Sequence, residues 1–133
     1  MKPSLKKGFS IIELIFVIAV LGIIAAVAVP KLMDSRSNAL ITTIKQDIST
    51  ITSSIQSYHM LNNKIDKISN SVNINTSTWV VNDLKAMFIS EDKDCVTIEI
   101  NENKILVLIN EDSSVLCQKL YDSGVKNTEY ELY

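Results

Sequence analysis

The sequence predicts an α+β fold in which one long N-terminal α-helix packs on a small antiparallel β-sheet. Three patterns carry that expectation. An apolar block sits near the N-terminus, a one-sided isoleucine stripe at helical spacing follows it, and short strand-like runs separated by turn residues fill the remainder. The chain has 133 residues, room for one domain beyond the block.

From Phe9 to Val29 run 21 residues interrupted only by Ser10, Glu13 and Gly22. Crossing a hydrocarbon layer of roughly 30 Å takes about 20 apolar residues at 1.5 Å each, and this block has that length. Residues Leu14–Val29 carry no polar side chain, whereas a core helix would show a polar stripe. A cleaved secretory signal has a shorter apolar centre followed by a small-residue site, and Pro30-Lys31-Leu32-Met33-Asp34 is a poor one. A retained membrane helix is therefore expected. Lys2, Lys6 and Lys7 place the N-terminus in the cytoplasm and everything after Pro30 outside. Glu13 is the anomaly. Either it lies at headgroup level at little cost, or it meets a positive charge brought by another subunit within the bilayer.

Pro30 ends the block and predicts a kink, or alternatively a helix start at the interface. Beyond it Ile41, Ile44, Ile48, Ile51, Ile55 and Tyr58 form a stripe spaced for one helix face, with polar residues between them. No glycine or proline interrupts Lys31–Leu61, so a single helix of roughly 80 Å is expected from Phe9 to about Leu61. The stripe is short for a coiled coil and suits packing against a sheet in the same chain. Residues 62–78 read as loop with room for one turn. Trp79-Val80-Val81 reads as a first strand, and Asn82 or Asp83 as the cap of a short helix over Leu84–Phe88. Cys95–Ile100 alternates, with Val96, Ile98 and Ile100 inward. The run Ile105–Ile109 is apolar throughout and reads as a central strand, joined to its predecessor by a tight turn with asparagine at positive φ. Ser113 or Ser114 to Ser123, closed by Gly124, carries helix-cap signals, and Tyr130–Tyr133 reads as an edge strand.

Lys6-Lys7-Gly8-Phe9-Ser10-Ile11-Ile12-Glu13-Leu14 followed by the apolar block resembles the N-terminus of type IV prepilins, shared by pilins and the pseudopilins of type II secretion and competence. The resemblance implies a pilin-like fold and no catalytic residue. It implies cleavage by a prepilin peptidase after Gly8, N-methylation of Phe9, and pairing of Glu13 with a neighbouring subunit's N-terminal amine. Gly22 and Pro30 match positions where helices of this family bend. The chain then divides into a leader over residues 1–8, a membrane and assembly segment over 9–30, and an exterior head over 31–133. Implied partners are the peptidase, other pilin or pseudopilin subunits in a homo- or hetero-filament, an inner-membrane assembly platform and membrane lipid. The implied location is the inner membrane, single-pass, and then a filament.

Cys95 and Cys117 are the only cysteines, and both fall on the exterior side, where an even count suggests a disulfide; two buried thiols are the alternative. No metal site or cofactor is expected. There is no CxxC, and the single histidine, His59, is distant in sequence and reads as a surface contact. The acidic run Glu91-Asp92-Lys93-Asp94 fits no defined calcium loop and reads as a solvated turn. No catalytic triad, phosphate loop or zinc motif is present. The formal net charge of −2 and the scattered lysines offer no basic stripe for nucleic acid, which counts against a competence minor pilin that binds DNA. A membrane-tethered binding domain without a filament would leave Gly8-Phe9 and Glu13 unexplained.

Overall fold

The computed structural model describes Pro3 and residues 7–133, and structural statements refer to these. Lys2 and Lys6 of the basic head lie outside the described residues. Helix α1 spans Ile11–Asn62, followed by α2 (Ile68–Ser71), β1 (Trp79–Val81), β2 (Lys85–Ser90), β3 (Lys93–Asn101), β4 (Lys104–Ile109), α3 (Val115–Asp122) and β5 (Thr128–Glu131). The five strands form one antiparallel sheet in chain order, β1-β2-β3-β4-β5, with α3 inserted before the last. The chain divides after Asn38 into two compact units. The first is the apolar part of α1, which runs unbroken through Gly22 and Pro30.

The second unit, from Ala39 onward, holds the core. Ile41, Ile44, Ile51 and Ile55 are buried and Ile48 half-buried, so the stripe read from the spacing is the packed face of α1. They share one apolar cluster with Ala86, Phe88, Val96, Ile98, Ile100, Ile105 and Val107 from the inner side of β2, β3 and β4. Ile68 of α2 and Leu120 of α3 close the ends of this cluster, and both are fully buried. Trp79 is buried beneath α1. Its indole N–H would cost free energy there without an acceptor, and it donates to Asp47 Oδ2 at 3.0 Å.

Four expectations change. Residues 84–88 are not a short helix: Lys85–Phe88 alternate half-buried and buried and pair with both β1 and β3. A ladder on two sides outweighs a weak cap signal, and Asn82 instead donates its amide to the Lys85 carbonyl at 2.8 Å in the turn. Ile105–Ile109 has a strand on each side but is covered on one face only, with Leu108 left exposed. The β3–β4 turn takes its positive φ at Glu102 (52°), the first of its two central residues, and at neither asparagine. The final strand begins at Thr128, ahead of Tyr130, whereas the 62–78 segment is loop with the one turn of α2, as its composition allows.

Alternation along β3 also fails at one point, and the failure is informative. Phe88 pairs with Val96 while Ile89 pairs with Asp94, so Cys95 is the extra residue of a β-bulge. The bulge turns two successive side chains, Cys95 and Val96, inward. Cys95 is thereby aimed at α3 and joined in a disulfide to Cys117, with Cα atoms 5.6 Å apart and both residues buried. Ser114 caps α3 by accepting the Cys117 amide at 3.3 Å, and Gly124 ends it at φ +108°, a conformation that side chains resist.

Candidate functional site

Gly8 and Phe9 precede α1 and lie outside any regular element. Helix formation leaves the first amides without intrahelical partners, so a residue that can accept one of them marks where the helix starts. Ser10 does so. Its Oγ accepts the Glu13 amide at 3.2 Å and its carbonyl accepts the Leu14 amide at 3.1 Å, which makes it the N-cap. The Ser10-Ile11-Ile12-Glu13 spacing is that of a capping box, a signal present in the sequence and overlooked in the reading above.

Two consequences follow for the junction. The cap starts the helix at Ile11, which leaves Gly8-Phe9 as non-helical backbone of the kind a protease cleft can accept. It also puts Glu13 in the first turn, where the helix dipole favours a negative charge. The Glu13 side chain is exposed and makes no ion pair among the described residues. Phe9 is 82% exposed, and a Cβ built on Gly8 would meet nothing within 4 Å. The fold of the described residues therefore does not demand glycine at position 8. Gly22 is equally open, at a site where alanine would be worth roughly 1 kcal/mol more to the helix.

Among the described residues one helix is long and apolar enough to cross a membrane, and none of its most apolar stretch is buried by the protein itself. That separates it from the core helix of a globular domain.

The remaining candidates are scattered over the second unit. His59 Nδ1 lies 3.0 Å from the Tyr133 backbone oxygen, a contact between α1 and the residues that follow β5. Glu91 and Asp92 are the two central residues of the β2–β3 turn, at φ 53° and 60°, the pattern of a type I′ hairpin. No cluster of three or more histidine, cysteine or carboxylate side chains that could hold a metal occurs among the described residues. At the β4–β5 edge a 2.8 Å hydrogen bond to Glu129, reinforced by its charge, holds the Lys104 ammonium above its ordinary pKa. A hydrogen bond to Glu131 likewise raises the Tyr133 phenol. Both are surface pairs of little energetic weight.

Residues 3–29 match the family model of the prokaryotic N-terminal methylation motif. The type II secretion system core protein G of Pseudomonas aeruginosa is 36% identical over 62 residues, 47% of this chain and 44% of that protein. A fimbrial protein of the same organism is 35% identical over 52 residues, 39% of this chain and 34% of its own length. The type IV major pilin protein PilE of Neisseria gonorrhoeae is 29% identical over 126 residues, covering 92% of this chain and 73% of PilE. The chain spans less than half the length of the two Pseudomonas relatives. No solved structure matches.

Proposed function

We propose that this chain, a member of the type IV pilin and pseudopilin family, is a non-catalytic structural subunit of a type IV pilus or type II secretion filament. A prepilin peptidase cuts between Gly8 and Phe9 on the cytoplasmic face, the new amine of Phe9 is methylated, and α1 holds the subunit in the inner membrane until assembly. The observation that carries this reading is the pairing of an unconstrained glycine with an unpartnered acid. Gly8 is not required by the fold, and Glu13 stands exposed on an apolar helix without an ion-pair partner among the described residues.

Cleavage makes both features intelligible. It removes the lysines of the leader and leaves one amine near the helix start. Attraction between unit charges a few ångströms apart grows as the surroundings become less polar. A Glu13 facing the amine of a neighbour is then stabilised only inside the assembly, which sets stagger as well as affinity. A carboxylate at the centre of a membrane helix costs about 2.5–3.5 kcal/mol on insertion scales, and Glu13, in the first turn, has at most that much to offset.

The test is a comparison of two variants in the producing cell. Glu13→Ala should be cleaved normally yet lose filaments, whereas a bulky residue at Gly8 should leave full-length precursor in the membrane. A Glu13→Ala chain that assembles to wild-type yield removes the pairing role.

A further inference from the structure

The inner side of β5 extends past the helix that covers the rest of the sheet. Thr128 and Tyr130 pair with Val107 and Ile105 and so face the same side as these buried residues, yet both remain exposed. Between them and the Ser49–Ser53 side of α1 lies a groove of about 330 Å³. Lys45 and Lys126 line it, and no carboxylate does.

This groove carries two cations on a unit whose overall balance is acidic. From Ala39 to Tyr133 the chain carries eight lysines and thirteen carboxylates, a formal net charge of −5. Each groove lysine is held in place without an acid. Lys45 Nζ donates to the Ser123 carbonyl at 3.0 Å and keeps further N–H groups free, and Lys126 Nζ sits 3.1 Å from the centre of the Tyr121 ring. The matching feature lies on the same unit. The Glu91-Asp92 turn is tight, exposed and fixed in a two-residue I′ geometry, and neither carboxylate has an ion-pair partner among the described residues.

We propose that the groove receives the Glu91-Asp92 turn of a second copy of this chain. The proposal rests on the filament reading, under which units of charge −5 must pack side by side despite their mutual repulsion. Two lysines flanking a recess and two carboxylates on a rigid turn offset that repulsion at one place and fix the orientation of the contact, which is what complementary charges do best. Groove and turn are different patches, so the contact is heterologous and propagates from subunit to subunit instead of closing a pair.

Charge reversal with rescue tests it on the full-length chain. Lys45→Glu with Lys126→Glu, and separately Glu91→Lys with Asp92→Lys, should each lower filament yield by about tenfold or more while leaving leader cleavage intact. All four substitutions together restore opposite charges across the contact and should recover wild-type yield. A second readout places cysteines beside the contact, as Ser53→Cys with Lys93→Cys, and adds a short bismaleimide to assembled filaments, which should give a ladder of covalent oligomers. Double reversals that assemble like wild type, a quadruple variant no better than the doubles, or filaments without a ladder would each overturn the contact. Loss on reversing the lysines alone, with Glu91→Lys and Asp92→Lys harmless, assigns the groove to a different acidic partner and overturns it too. If the wild-type chain itself never forms filaments, the failure belongs to the functional reading.

Discussion

Three neighbouring residues divide the work of the N-terminal segment. Gly8 offers backbone without a side chain, Ser10 decides where the helix begins, and Glu13 brings a charge that the helix start tolerates and an apolar bilayer does not. The cap makes its own prediction. Ser10→Ala should lower helicity at the start of α1, at a cost of about 1 kcal/mol, and should slow leader cleavage in a pulse-chase measurement. Ser10→Asp or Ser10→Thr, which can still accept the Glu13 amide, should restore the wild-type rate. Equal slowing by all three substitutions would show that the hydroxyl is read by the peptidase itself and does not act through the helix. Gly8 and Glu13 were legible in the sequence as a motif. The role of Ser10 was legible too, as S-x-x-E spacing, but was masked by the more conspicuous anomaly of an acid among apolar residues.

Helix α1 and the disulfide set the stability of the second unit. Ile44 and Ile55 are fully buried, so Ile44→Ala should destabilise that unit by about 2–5 kcal/mol and lower its thermal midpoint. An unchanged midpoint would mean that the stripe does not pack on the sheet. The Cys95–Cys117 bridge spans a sequence separation of 22 residues and ties α3 to the bulge in β3. In the chain-entropy model a loop of that size contributes roughly 3 kcal/mol. Mass spectrometry without reductant should find the linked peptides, and a double Cys→Ser variant should unfold at lower denaturant; two alkylatable thiols would exclude the bridge. Periodicity made the second half of α1 and β3 readable because each has one buried face, whereas β1 and β4 were legible as short apolar runs. The sequence could not show β2, since Leu84–Phe88 is too short to separate two periods until neighbouring strands pair with it. The bulge was hidden for a related reason. A single extra residue leaves alternation on either side of it intact.

At the scale of the whole molecule, a strongly apolar first unit is joined to a second of net charge −5. On the proposed reading the function is assembly, and assembly depends on an amine at Phe9 that the unprocessed chain lacks. The most direct test is therefore the mass of the N-terminal peptide from chains recovered in sheared filaments. The account predicts a peptide beginning at Phe9 and heavier by one methyl group. Filaments built of chains that still begin at Met1, or a Phe9-terminated chain found only as dispersed membrane monomers, would contradict it.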